Sequence, residues 1–116
     1  MLVVIMNKIE LQKKRNDTAR LFKHSSKIHR NCIRLNTGNT LEHERAKFEL
    51  CWALQQQGKQ FITEAETENG VRCDIVVLDD ANCIELVKSE TKKSIKAKMG
   101  KYPLPIIVYE VDKNDN

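Results

Sequence analysis

A chain of 116 residues has room for one domain, and its 41% of hydrophobic residues can build one modest core. Aromatic residues make up only 5% of the chain, so aliphatic strands must supply most of the buried surface. A net charge of +4 is too small to identify a partner, and the four cysteines contain no CxxC pair, which argues against a zinc site. Cys51, Cys73 and Cys83 sit in apolar runs and are expected to be reduced core residues.

The first predicted unit is a basic arm, residues 1–38. Its stretch from Lys8 to Arg34 holds nine basic and two acidic residues, whereas the remaining chain holds 11 basic and 14 acidic ones. Weak helical periodicity predicts one helix within residues 8–30. Such an arm on a mildly acidic body is typical of phosphate-backbone binding and equally of a solvated tail, so both interpretations stay open.

The apolar run at residues 1–6 is too short for a membrane span or for a signal sequence. It is either a short edge strand or a segment ahead of a natural start at Met6. We therefore expect no membrane partner and a cytoplasmic location.

Residues 39–116 are predicted to form the core domain, which begins with the clearest helix. Asn39 can cap this helix, with Glu42 as the returning partner of a capping box. Gly58 stands where a helix commonly ends. Four apolar residues at helical spacing support the prediction: Ala46, Leu50, Ala53 and Leu54.

Four strands and a second, basic helix follow in the core domain. The strands are predicted at 60–67, 71–78, 83–88 and 106–111, and the helix at 90–101. Short turns should make the first three strands an antiparallel meander, and the crossover helix should bring the last strand in parallel. On the first strand, alternation groups Phe61 with Thr63 and Ala65. The sequence therefore predicts an α/β fold with a mixed central sheet flanked by helices.

Two acidic residues interrupt the apolar strands, Asp74 in RCDIVV and Glu85 in CIELVK. A carboxylate in a central strand is costly unless it is paired, protonated or metal-bound. Neighbouring strands can bring the two acids together, where they would favour Mg²⁺ or Mn²⁺. Lys88 follows and is suited to stabilise charge on a phosphate. The alternatives are that Asp74 caps a turn or pairs with Arg72, and that Glu85 faces solvent.

The stretch LEHERAKFELCWALQQQGKQFITEAETENGVRCDIVVLDDANCIELVKSE, continuing to KYPLPIIVYEV, resembles the PD-(D/E)XK nuclease superfamily over about residues 39–111. That superfamily includes restriction endonucleases, archaeal Holliday-junction resolvases and small phage or archaeal-virus nucleases. The resemblance implies a restriction-endonuclease-like αβββαβ core in a prokaryotic or virus-infected cell. It also implies Mg²⁺-dependent hydrolysis of DNA phosphodiester bonds.

The resemblance implies a metal site formed by Glu42, Asp74 and Glu85. Counting around the first core helix favours Glu42 as its glutamate, with Glu49 as second choice, and predicts that Glu44 points away.

The family lysine normally stands two residues after the acid of the third strand. Here Val87 occupies that position and the lysine is Lys88, which a β-bulge would turn towards the site. Otherwise Lys92 or Lys93 of the next helix would reach in, or Ser89 and Glu90 would substitute. Lys88 is thus the predicted catalytic lysine, and its displacement by one residue leaves loss of catalysis open.

Other polar residues receive weaker predictions. His43 lies either at the rim of the site or, as we favour, on the helix surface. Glu64 either adds to the acidic cluster or, as we favour, is solvated. Trp52 is predicted to be a core or dimer-contact residue, with base stacking as the alternative. The basic residues expected to bind nucleic acid are Lys13, Lys14, Arg15, Lys92, Lys93 and Lys96.

Three functions follow from these predictions, in decreasing order of preference. The first is a metal-dependent DNA endonuclease, for which a homodimer is expected because so small a chain makes few DNA contacts. The second is a catalytically inactive nuclease-fold module that binds nucleic acid or a protein. The third is an α/β scaffold without a nucleic-acid role.

Overall fold

The computed structural model describes residues 7–87 and 99–111. The predicted crossover helix therefore lies almost wholly outside the described residues, as does the apolar run at residues 1–6. No helix within the described ranges is both long and apolar enough to cross a membrane. The elements are α1 (Lys8–Ala19), a short 3₁₀ helix (Ser25–Lys27), α2 (Leu41–Gln56), β1 (Phe61–Glu66), β2 (Arg72–Val77), β3 (Asn82–Val87) and β4 (Ile106–Glu110).

The four strands form one mixed sheet in the order β1-β2-β3-β4. β1 and β2 pair antiparallel, as do β2 and β3, whereas β3 and β4 pair parallel. The turn at Gly70 supplies the positive φ of 84° that a tight connection between β1 and β2 needs. The predicted α/β fold with a mixed sheet is confirmed.

The start of α2 differs from the prediction by one residue. Thr40, rather than Asn39, is the N-cap, and its Oγ1 accepts a hydrogen bond from the His43 N–H at 3.2 Å. The Asn39 side chain instead donates to Glu44 Oε1 at 2.8 Å. Gly58, with a φ of 74°, follows the end of the helix as predicted.

Hydrophobic side chains form one layer on each face of the sheet. The α1-side layer contains Ala19, Phe22, Ile62, Ala65, Cys73, Val76, Leu78 and Cys83. The α2-side layer contains Cys51, Leu54, Phe61, Ile75, Val77, Ile84, Leu86 and Val111. Cys51, Cys73 and Cys83 are buried and reduced, as predicted, and burial raises the pKa of the Cys51 thiol to about 12.

The basic arm contacts the sheet at several points within the part that the structure describes. Phe22 is 3% exposed and forms an isolated β-bridge with Thr67. Arg15 makes a two-bond ion pair with Asp79 in the turn after β2, with Nε 2.8 Å from Oδ1 and an Nη atom 2.9 Å from Oδ2. Arg15 therefore attaches α1 to the sheet, which occupies the guanidinium that the sequence assigned to nucleic acid.

Arg15→Ala is expected to lower the free energy of unfolding by about 1.5–3 kcal/mol, because it removes hydrogen bonds to a charged and half-buried partner. Burial alone would raise the pKa of Asp79, but the bonds from Arg15 and the Gln60 N–H hold it below its usual value. Urea denaturation measures the loss, with the exposed Lys13→Ala as control. A variant that keeps its stability but loses affinity for DNA would return Arg15 to the nucleic-acid interface.

Candidate functional site

The side-chain alternation of β1 and β2 breaks where Glu64 and Asp74 lie opposite each other. The ladder pairs Thr63 with Ile75 and Ala65 with Cys73, so the two acids face one another between these pairs. Glu64 has a φ of 51°, a left-handed conformation that a non-glycine residue rarely adopts in a strand. As a result Ala65 joins the α1-side layer, and its predicted grouping with Phe61 and Thr63 is wrong.

The left-handed turn at Glu64 directs its carboxylate to a lysine of α2. Lys47 is fully buried, and its Nζ lies 3.0 Å from Glu64 Oε1 and 2.7 Å from Glu44 Oε2. The ammonium also donates to the Arg34 carbonyl oxygen at 2.7 Å. A buried cation is tolerable only with such a complete set of acceptors. We call Lys47, Glu44, Glu64, His43 and Asp74 the Lys47 cluster.

Glu44 and Glu64 both contradict the sequence predictions. Glu44 was expected to point away from the sheet and Glu64 to be solvated, yet their side chains are only 12% and 5% exposed. Burial alone would raise the pKa of Glu44. Hydrogen bonds from Lys47, Asn39, the Asn36 N–H and His43 outweigh that effect and lower the pKa to about 2. Glu44 is therefore ionised at any ordinary pH.

His43 connects the two ends of the cluster. Its Nδ1 lies 3.1 Å from Glu44 Oε1, and its Nε2 lies 3.5 Å from Asp74 Oδ2. The side chain is 13% exposed, so the favoured surface interpretation is wrong, and the ring lies beside Asp74. The ring is thus held between two carboxylates, with Nε2 facing Asp74.

Asp74 is half-buried between β2 and β3. Its Oδ2 accepts a hydrogen bond from the Leu86 N–H at 2.8 Å, which fixes the carboxylate against the neighbouring strand. Burial raises its pKa, and the charge of Glu64 adds to the rise, whereas the Leu86 bond and His43 oppose it. Asp74 and Glu64 are thus close enough to repel each other.

Glu85 and Asp74 meet along the backbone but lie on different faces. Continuing the β2–β3 register one step past Ile75 and Ile84 places residues 74 and 85 opposite each other. Ile84 and Leu86 belong to the α2-side layer, so alternation turns Glu85 to the α1 side. There it neighbours Tyr102, whose pKa is raised by burial and then by the charge of Glu85.

The remaining predicted residues are placed only in part. Glu42 is half-buried in the first turn of α2, and Glu49 is exposed farther along the helix. Lys13 is exposed and Lys14 half-buried on α1. Trp52, expected in the core or at a dimer contact, is 58% exposed and stacks on Phe48. Four predicted lysines lie outside the described residues: Lys88, Lys92, Lys93 and Lys96.

A magnesium ion would find two suitable carboxylates in the Lys47 cluster. Across the described ranges, no group of three or more His, Cys, Asp or Glu side chains is placed to hold a metal ion. Mg²⁺, however, usually keeps several water ligands and binds through one or two carboxylates. Asp74 and Glu64, which face each other across two strands, fit a site of that kind.

Sequence reasoning missed Lys47, although a signal for it exists. The buried residues of α2 are Lys47, Cys51 and Leu54, at the spacing of one helical face. Lysine in the middle of a buried stripe is rare unless it is paired. His43 lies one turn before Lys47, so both side chains reach the sheet from the same face.

Comparison with protein-family models, curated proteins and solved structures found no match to this chain.

Proposed function

We propose that this chain is a Mg²⁺-dependent endonuclease of the PD-(D/E)XK type that hydrolyses DNA phosphodiester bonds at the Lys47 cluster. The observation that carries the proposal is that two acids at opposed positions of β1 and β2, Glu64 and Asp74, lie close enough to influence each other, with a buried ammonium beside Glu64. Three separate elements contribute these groups, and the sequence resemblance independently assigns a metal-binding role to Asp74. The lysine that the family places on the third strand would here be supplied by α2.

Four residues of the cluster have distinct parts in the proposed chemistry. Asp74, held by the Leu86 N–H, and Glu64 would ligate the cation. The chemistry that Mg²⁺ would supply there is polarisation of the scissile phosphate and a lower pKa of the attacking water. Lys47, whose donors are taken up by Glu44, Glu64 and the Arg34 carbonyl, would position the Glu64 carboxylate and offset carboxylate charge at the site. His43 Nε2, next to Asp74, is placed to move a proton at the rim of the site.

A second candidate is a nuclease-fold module that binds nucleic acid without cutting it. The position of Glu85 on the other face of the sheet favours this function, because it separates the two acids that the family pattern brings together. The tight contacts of Lys47 with Glu44 and Glu64 would then serve stability alone.

Supercoiled plasmid incubated with the purified chain distinguishes the two functions. The endonuclease converts it to nicked or linear DNA with Mg²⁺ or Mn²⁺, and EDTA prevents the conversion. Nicked product indicates one cut at a time, whereas linear product without a nicked intermediate indicates the homodimer expected from the sequence. Binding in a gel-shift assay without cleavage at any metal concentration would establish the inactive module instead.

A further inference from the structure

Two hollows lie beside Glu64. One, of about 170 Å³, is lined by Arg34, Asn36, Thr37, Glu64 and Arg72 among others. The other, of about 340 Å³, has Lys27 and His29 in its wall and shares Arg34 and Glu64 with the first. Arg34 and Glu64 border both hollows, and we call the two hollows together the Arg34 groove.

The charge of the Arg34 groove is positive. Its wall carries Arg34, Arg72 and Lys27, all exposed to solvent. The acid in the wall, Glu64, is matched by the Lys47 ammonium at 3.0 Å. Arg72 also lies 3.9 Å from Glu66, but that pair is largely exposed and holds the guanidinium weakly. The groove therefore attracts anions.

The backbone of Arg34 is fixed on both sides. Its N–H donates to Thr63 Oγ1 at 2.9 Å, and its carbonyl oxygen accepts from Lys47 Nζ at 2.7 Å. The exposed guanidinium thus projects from an anchored point of the chain. Anchoring of this kind lowers the entropy lost when the side chain engages a ligand.

We propose that the Arg34 groove binds the phosphodiester backbone of a nucleic-acid strand, with Arg34 and Arg72 each contacting a phosphate. Planar guanidinium groups match phosphate oxygens in pairs, which favours a phosphate ligand. Arg72 precedes Asp74 by two residues, which is about 7 Å along β2. A nucleic-acid strand bound by Arg72 would therefore pass the Lys47 cluster. That the bound strand is then cleaved at the Lys47 cluster rests on the proposed function, whereas binding of the strand in the groove does not.

Fluorescence anisotropy with a labelled oligonucleotide of about 20 nucleotides, single-stranded or duplex, tests the groove. All variants carry Asp74→Asn, so that cleavage of the probe does not alter the measured binding. Arg34→Ala with Arg72→Ala is expected to weaken binding at least tenfold at 100 mM salt. The slope of log K against log salt should shrink by roughly 1.4–1.8, the value of two phosphate contacts. The matched control is Lys8→Ala with Lys101→Ala, which removes the same charge from exposed positions outside the groove.

The control pair decides the interpretation. If both double variants lose the same affinity and the same salt slope, only net charge matters and the groove proposal is overturned. Arg34→Lys with Arg72→Lys should keep most of the slope but only part of the affinity, since lysine contacts phosphate as a point charge. If inorganic phosphate displaces the oligonucleotide at micromolar concentration, the groove is a small-anion site and the strand proposal is wrong.

Cleavage measured separately keeps the two proposals apart. If the wild-type chain binds the oligonucleotide through the Arg34 groove but never cleaves DNA with Mg²⁺, the groove proposal stands and the nuclease proposal is wrong. If the chain cleaves DNA but its affinity does not depend on Arg34 and Arg72, the nuclease proposal stands and the groove proposal is wrong.

Discussion

Asp74→Asn is expected to lower Mg²⁺-dependent cleavage by a factor on the order of 10²–10³ while the domain stays folded. The amide removes the negative charge that would bind the cation, yet its oxygen can still accept the Leu86 N–H. Single-turnover cleavage of a labelled duplex, at saturating protein, measures the chemical step without the contribution of binding. Asp80→Asn, which changes an exposed acid paired with Lys59, is the matched control and should cleave normally.

The same substitution should make the protein more stable at neutral pH. Burial raises the pKa of Asp74 above its ordinary 3.8, so the folded state holds this proton more tightly than the unfolded state does. Stability therefore falls as the pH rises from 3.8 through the folded pKa, and it stays reduced above that pH. Asparagine removes this penalty. Urea denaturation at pH 7 and pH 3 should show a gain at pH 7 that disappears at pH 3.

A loss of stability at pH 7 would contradict that expectation and make Asp74 a structural partner of His43.

A comparison of two further variants identifies the second metal ligand. If Glu64 shares the cation with Asp74, Glu64→Gln should reduce cleavage as severely as Asp74→Asn. If Glu85→Gln is the more severe of the two, the pair predicted from the sequence is the metal site.

Lys47→Met is expected to lower the free energy of unfolding by about 3–5 kcal/mol at pH 7. Methionine fills the volume of the lysine stem but leaves the buried Glu44 and Glu64 without their cation. Urea denaturation followed by circular dichroism measures the loss. The matched control is Lys59→Met, whose partner Asp80 is 38% exposed, and it should cost no more than about 1 kcal/mol.

Acid provides a second test of Lys47. The pKa of Glu44 is lowered from 4.5 to about 2, so its contribution to stability is complete above 4.5 and is lost as the pH falls towards 2. Without Lys47 the pKa of Glu44 rises, and the gap between variant and wild type should narrow over that range. Adding Glu64→Gln to Lys47→Met should recover part of the loss. A gap independent of pH would mean that packing, rather than charge, is what Lys47 contributes.

The order and pairing of the strands could be predicted because they depend on local patterns. Gly58 and Gly70 lie at the ends of elements, where positive φ is needed, and the apolar runs between such turn residues form strands. The crossover before β4 then permits only a parallel pairing with the strand beside it. Each of these inferences uses residues close together in the chain.

The Lys47 cluster could not be predicted in the same way. Its partners come from Arg34, Glu44 and Glu64, so its stability appears only after distant segments are brought together. The separation of Asp74 from Glu85 has a related origin. Regular alternation would place both acids on one face, and the break in β1 and β2 beside Glu64 redirects Asp74 towards α2.

The left-handed backbone at Glu64 carries an evolutionary consequence. A non-glycine residue in that region is disfavoured by about 1–3 kcal/mol, and glycine would relieve the strain. Glycine, however, has no carboxylate to pair with the Lys47 ammonium. The substitution would relieve the backbone strain but leave the buried ammonium without one of its partners. Residue 64 is therefore a frustrated position, because no single substitution both relieves the backbone strain and keeps the ion pair with Lys47. We expect substitutions at this position to accumulate slowly.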